Sequence, residues 1–259
     1  MTQLIQKHSA IVTGGASGLG ALIARRLAED EAHVIVADVD ERAAETLAQA
    51  IRGSGGRAQA CAADVTREAD VAALVEQAAA AAPLGVAVLS AAVEHRAPLT
   101  ETTDEAWQQV LDVNLKGPWL CMKHCIPQMA AAGGGSIVAL GSTLGLIASP
   151  DYVAYASSKG ALANLCKLAS TDCAADGVRV NLVAPSATDT GLFIRTTERT
   201  PDPGAIQRQV ASASPMKRLG RGEEVAETVL FLCSDAAAYI SGAVVPIDGG
   251  LAARRAWTS

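Results

Sequence analysis

Tyr155 and Lys159 lie four residues apart in Tyr-Ala-Ser-Ser-Lys, a spacing that sets both side chains on one face of a helix. A phenol with a pKa of about 10 is a poor base near neutrality, and bringing it to about 7 to 8 takes roughly 3 to 4 kcal/mol. An ammonium about 4 Å away in an effective dielectric of about 20 supplies about 4 kcal/mol. The pair is therefore expected to act as general base toward an alcohol and general acid toward a carbonyl. Ser142, thirteen residues upstream, is the candidate donor that fixes the same substrate oxygen. Taken singly, these residues have ordinary readings, a turn serine and an exposed helix pair.

A second constellation precedes them. Thr13-Gly14-Gly15-Ala16-Ser17-Gly18-Leu19-Gly20 joins an apolar run to a helical pattern. Glycines there let backbone N–H groups and a positive helix N-terminus approach a pyrophosphate closely, although such a turn alone is also a plain strand-to-helix connection. Asp38 falls eighteen residues beyond Gly20, at the end of the next apolar run. Its carboxylate can accept both hydroxyls of an adenosine ribose and repels the extra phosphate of NADP. Positions 15 and 39 are glycine and valine, so no basic residue there offsets the repulsion and NAD is the expected cofactor.

The elements that must hold these groups follow from hydrophobic period. Apolar runs at Ser9 to Thr13, His33 to Ala37, Arg57 to Ala62, Val86 to Ser90, Ser136 to Leu140, Val178 to Val183 and Ala243 to Ile247 predict seven strands. Helices are expected at Gly18 to Asp30, Asp40 to Arg52, Glu68 to Ala82, Thr103 through Asn114 towards Met129, Tyr152 to Asp176 and Glu223 to Ser234. Gly117-Pro118 is expected to mark a kink or restart of the fourth of these, and Ala184 to about Pro215 reads as a loop and lid. Short continuous apolar strands alternating with helices specify an α/β fold, a single doubly wound Rossmann-type domain over residues 1–259 with a seven-stranded parallel sheet. Right-handed crossovers then place the ligand crevice along the strands' C-terminal edge.

The 259 residues carry 27 acidic and 21 basic side chains, a net charge of −6 and no basic run longer than a doublet, which excludes electrostatic capture of nucleic acid. The mean hydropathy of +0.24 owes much to 53 alanines. Ile126 to Pro150 lacks Asp, Glu, Lys and Arg, yet Gly133-Gly134-Gly135-Ser136 splits it, so a helix followed by a buried strand is expected rather than a membrane span. The polar Met1 to His8 runs straight into a strand and leaves no room for a signal peptide, which points to the cytoplasm. Six cysteines include no CxxC pair and read as buried small hydrophobes, with no metal expected.

In family order the chain carries Thr-Gly-x-x-x-Gly-x-Gly at 13 to 20, Asp64-Val65, Asn114-Leu-Lys-Gly, Gly141-Ser142, Tyr155-Ala-Ser-Ser-Lys159 and Asp248-Gly249-Gly250. With these motifs the sequence resembles the short-chain dehydrogenase/reductase family over nearly its whole length. The resemblance implies catalytic roles for Asn114, Ser142, Tyr155 and Lys159, with Asn114 holding a water beside Lys159. It implies cofactor contacts from Gly14, Ser17, Gly18, Leu19, Gly20, Asp38, Ala91, Tyr155, Lys159 and Pro185, places Asp64 and Val65 at the adenine, and assigns Thr188 and Thr190 to the carboxamide. Two segments depart from the family pattern: Leu89-Ser90-Ala91-Ala92 replaces the usual Asn-Asn-Ala-Gly, and Pro185-Ser186 replaces Pro-Gly. The family commonly forms homotetramers through long helices and the C-terminal strand.

Substrate contacts are expected from His95, Arg96, Ser142, Leu144, Tyr152 and Leu192, with Glu94, Thr143, Asp151 and Phe193 nearby and the lid at about 187–215. The expected activity is reversible oxidation of a secondary alcohol, equally a diol or hydroxy acid, to a ketone with NAD. Two alternatives stand beside it: an NADPH-dependent 3-ketoacyl reductase and a non-catalytic dinucleotide-binding protein.

Overall fold

The computed structural model describes residues 5–198 and 200–253, without the side chains of Leu192 and Arg195. Among the described residues, the strands are β1 (Ser9–Thr13), β2 (His33–Asp38), β3 (Arg57–Ala62), β4 (Leu84–Leu89), β5 (Gly135–Leu140), β6 (Val178–Pro185) and β7 (Val244–Ile247). All pair in parallel, in the order β3-β2-β1-β4-β5-β6-β7. The order reverses between β1 and β4, and a crevice opens at such a switch point.

Strand side chains alternate between two covered faces. Ala10 and Val12 of β1 join Val34, Val36, Val86 and Val88 under α1 (Gly18–Glu29), α2 (Glu41–Gly53) and α9 (Gly222–Cys233). Ile11 faces the other way with Ile35, Ala87, Leu89 and Ile137, under α3 (Glu68–Ala81), α5 (Gly117–Ala131) and α6 (Val153–Asp172). Burial on both sides is why these strands read as unbroken apolar runs. Local chemistry sets the helix starts: Asp40 accepts the Ala43 N–H at 3.0 Å to open α2, and Glu224 accepts the Arg221 N–H at 2.9 Å at the start of α9.

Two expectations about elements need correcting, and a third is made definite. Of a kink or a restart at Gly117-Pro118, the structure has the restart. A wide turn, Asp112–Lys116, separates α4 (Asp104–Leu111) from α5, with the Gly117 N–H bonding the Asp112 carbonyl five residues back. Pro118 has no N–H, so the helix preceding it is free to open there. The helix after Tyr152 ends at Asp172, followed by a tighter turn at Ala174–Asp176 that Gly177 closes with φ of 72°. The segment expected as loop contains two helices, α7 (Leu192–Thr197) and α8 (Pro203–Ala213), because Pro203 suits a first helical turn and Asp202 accepts the Ala205 N–H at 2.8 Å. No helix among the described residues is long and apolar enough to cross a membrane.

Candidate active site

The C-terminal strand ends border a cleft of about 1370 Å³ that runs from Asp38 and Val39 past Gly14 and Ser17–Leu19 to Ser142 and Tyr155. That volume exceeds the roughly 300–1000 Å³ of ordinary small-molecule sites and accommodates a dinucleotide with a substrate beside it. At the dinucleotide end the backbone approaches are closer than any side chain permits. A Cβ on Gly14, whose φ is +60°, would lie 2.7 Å from the Ala91 Cα, and one on Gly20 would lie 2.2 Å from the Gly14 carbonyl oxygen. Gly20 therefore packs under the turn against Gly14, behind the residues that line the cleft. At the segment that departs from the family pattern, Thr13 Oγ1 accepts the Ser90 and Ala91 amides, at 3.2 and 3.3 Å.

Asp38 Oδ2 accepts the Ala16 N–H and Oδ1 the Asp40 N–H, each at 3.1 Å, so the carboxylate is fixed and each oxygen retains a lone pair. Asp64 holds Thr66 through its N–H and hydroxyl, and Val65 packs against Gly117, where a Cβ would meet the valine side chain at 2.7 Å. Pro185, Thr188 and Thr190 line the far wall, with the Thr188 hydroxyl donating to the Thr190 carbonyl at 3.2 Å.

Tyr155 and Lys159 are brought together as the spacing required, both buried on α6 and both lining the cleft. Ser142 follows the end of β5 and lines the cleft with Tyr155, while its oxygen accepts the Leu144 N–H at 3.1 Å. Gly145 makes this approach possible, since a Cβ there would lie 2.7 Å from the Lys159 carbonyl carbon. Asn114 is fully buried in the wide turn, not on a helix surface. It accepts the Val93 N–H at 2.9 Å, donates to the Val93 carbonyl at 2.9 Å and to Ser158 Oγ at 3.2 Å, tying the β4 extension to α6.

The electrostatics differ from the expectation. The Lys159 ammonium donates to the Leu140 carbonyl at 2.7 Å and lies 5.6 Å from the centre of the Tyr155 ring. Burial, with the Glu94 carboxylate adding to it, pushes the phenol above its usual range, and the Ser142 hydroxyl only partly opposes them. Burial likewise lowers Lys159 to about 8. In the chain by itself the lysine does not acidify the tyrosine, because it spends its charge on a carbonyl and is itself desolvated.

Among the expected substrate residues, Arg96, Leu144 and Tyr152 line the cleft with Glu94. His95 does not; in an extended segment residues 94 and 96 face one way and 95 the other, which leaves His95 Nε2 buried without a hydrogen bond. The Leu192 side chain, like Arg195 and Arg199 of the expected lid, lies outside the described residues. Reading the sequence missed the cleft-lining α8 residues Ile206, Gln209 and Val210, which share the i, i+3, i+4 spacing of one helix face. Five of the six cysteines are buried, and no group of His, Cys, Asp and Glu suited to a metal occurs among the described residues.

Known proteins share this architecture. The chain matches the family model described as enoyl-(acyl carrier protein) reductase over residues 14–252. It is 42% identical over 255 residues to cis-4-hydroxycyclohexanecarboxylate dehydrogenase of Sinomonas cyclohexanicum, covering 98% of this chain and 100% of that one. It is 36% identical over 247 residues to a 2,5-dichloro-2,5-cyclohexadiene-1,4-diol dehydrogenase of Sphingobium indicum, covering 93% and 94%. The crystal structure of levodione reductase superposes with a TM-score of 0.93 at 28% identity, covering 96% of this chain and 99% of that one. The chain belongs to the short-chain dehydrogenase/reductase family and is an oxidoreductase of that type.

Proposed function

We propose that the protein is a cytoplasmic, homotetrameric NAD(H)-dependent dehydrogenase that interconverts a secondary alcohol on a six-membered carbocycle and the corresponding ketone. The observation that carries this reading is the buried Tyr155 phenol, with Ser142 and Lys159 lining the same end of a cleft that begins at Asp38. The carbocycle is suggested by the ring alcohols named for the relatives at 42% and 36% identity. Exposed Trp119 on α5 and Leu168 on α6 are apolar surface that a tetramer would cover. Helices α7 and α8, which line the substrate end, are assigned as the lid.

The residues present suit a nicotinamide dinucleotide. Gly14 and the N-terminus of α1 would take the pyrophosphate, and Asp38 the adenosine ribose. Arg96 and Lys159 are the cations among the described lining residues, and neither sits at the Asp38 end, so an added ribose phosphate would meet a carboxylate without compensation. When bound, the nicotinamide accepts or supplies hydride and, oxidised, brings a positive ring. Ser142 holds the substrate oxygen, and Tyr155 exchanges a proton with it at the phenolic oxygen. With the phenol above its ordinary range, donation to a carbonyl is its resting competence, and removing an alcohol proton requires added positive charge. Asn114, through Val93 and Ser158, keeps α6, and with it Tyr155 and Lys159, in register with β4.

The test is steady-state oxidation of cyclohexanols with NAD+ and NADP+ by wild type and Tyr155→Phe. NAD+ is expected to be favoured at least tenfold in kcat/KM, and Tyr155→Phe to lose about a thousandfold in kcat with cofactor binding retained. A Tyr155→Phe enzyme within a few fold of wild type would overturn the reading, and preference for NADPH would favour the ketoacyl reductase alternative.

A further inference from the structure

The substrate end of the cleft holds a charge that the reaction does not use. Glu94 lies on the extension of β4, half-buried, with its side chain toward the cleft. Its hydrogen bond within the described residues is with Thr196 of α7, whose hydroxyl donates to Oε1 at a long 3.4 Å. A carboxylate offers about four acceptor positions, so most of this one is unspent. It lines the same cleft as Tyr152 and Tyr155; burial raises its pKa, and its charge in turn raises both phenols.

The neighbours restrict what can approach. The groups facing Glu94 are Arg96 from its own segment, Tyr152 and Tyr155 at the start of α6, and Thr196 from α7. Arg96 is already engaged, 5.5 Å from the Tyr152 ring centre and 3.8 Å from Asp151 Oδ2. An anionic substrate group would meet the Glu94 carboxylate, and an ammonium would meet the Arg96 guanidinium. What remains favourable is a neutral hydrogen-bond donor, because an unpaired half-buried carboxylate is costly and a hydroxyl relieves it.

We propose that Glu94 accepts a hydrogen bond from a second hydroxyl of the substrate, making the enzyme selective for diols or hydroxyketones over simple alcohols and hydroxy acids. The proposal rests on the alcohol dehydrogenase reading above. It also separates this chain from its 42% identical relative, which is named for a hydroxy acid.

The experiment measures kcat and KM with NAD+ for cyclohexanol, the cyclohexane-1,2- and 1,4-diols and 4-hydroxycyclohexanecarboxylate, in wild type, Glu94→Gln and Glu94→Ala. Wild type should favour its best diol over cyclohexanol by roughly tenfold to a hundredfold, the range of a hydrogen bond to a charged group. Glu94→Ala should lower that ratio at least tenfold, chiefly through KM. Glu94→Gln, which keeps a carbonyl acceptor, should retain part of it while favouring the hydroxy acid more than wild type does. Both variants should shift the pH profile of kcat to lower pH, since a negative charge near Tyr155 is gone. A wild-type ratio near one, or a ratio unmoved in both variants, overturns the assignment while leaving the dehydrogenase intact. No turnover of any alcohol overturns the dehydrogenase reading and this assignment with it.

Discussion

The loop after β1 and the α7–α8 segment bound the same cleft and are built on opposite terms. In the first, backbone touches backbone: the space where Gly20 would carry a Cβ is 2.2 Å from the Gly14 carbonyl oxygen. In the second, α8 has no buried residue among those described, and the fastenings are single side-chain hydrogen bonds such as Gln207 to Thr197 at 3.3 Å and Thr196 to Glu94 at 3.4 Å. One side holds a fixed shape for a common cofactor. The other is loosely attached, as suits a wall that must admit and release substrate.

The strongest way to break this contrast is to add one methyl group to each side. Gly20→Ala forces the α1 start away from Gly14 and is expected to cost about 2 to 3 kcal/mol, at the upper end for overpacking. It should also weaken NADH binding more than a hundredfold by calorimetry. The matched change Gly204→Ala in α8 meets the flexible end of Arg208 at 3.1 Å and should leave NADH affinity within twofold. Equal losses in the two variants would remove the distinction between a fixed and a loose wall.

Between the two walls stands Lys159, held within the fixed frame at a cost in stability. Its folded pKa of about 8 against an ordinary 10.5 corresponds to roughly 3 kcal/mol of disfavoured charge. Lys159→Met removes that penalty and leaves the Leu140 carbonyl without its donor, a loss of about 1 kcal/mol, so a net gain of about 2 kcal/mol is expected. Because the folded pKa is depressed, wild type carries the full penalty below pH 8 and sheds it between 8 and 10.5. Thermal melts should therefore show a constant advantage for the variant from pH 6 to 8 that shrinks above it, alongside lost turnover. A less stable variant at pH 7 would mean that the ammonium is held favourably.

The same contrast governs what could be read from residues alone. The glycine turn, Asp38 and the Tyr155–Lys159 face depend on contacts within one βα unit or one helical turn, and the structure places them accordingly. Acidification of Tyr155 by Lys159 did not follow from the same spacing. Sharing a helix face does not fix where a long side chain ends, and the Leu140 carbonyl comes from another strand. Gly145 had no signal beyond being glycine, because its need arises from the Lys159–Gly160 backbone crossing it. That Arg96 lines the cleft while the His95 ring nitrogen is buried away from it depends on how the segment after β4 is held, with the Ala97 N–H bonded to the Asp151 carbonyl, a contact from a distant part of the chain. In α8, the pair Ile206 and Val210 stood among prolines and polar residues that mask helical period, and a face turned to a cleft carries little hydrophobic contrast.

The smallest expected effect tests whether the loose wall is nonetheless coupled to the site. Thr196→Ala deletes one long hydrogen bond from α7 to Glu94 and creates no buried cavity, since Thr196 is only partly covered. A melting temperature within about 1 °C of wild type is expected, as for surface changes of a few tenths of a kcal/mol. If α7 steadies the Glu94 carboxylate, KM for the best diol should rise about two- to fivefold, within the net worth of one hydrogen bond, with kcat and NADH affinity near wild type. Because Glu94 retains its charge, the pH profile of kcat should stay in place, unlike that of Glu94→Gln. A KM that does not move would show that Glu94 is steadied from β4 alone and that α7 has no part in placing it.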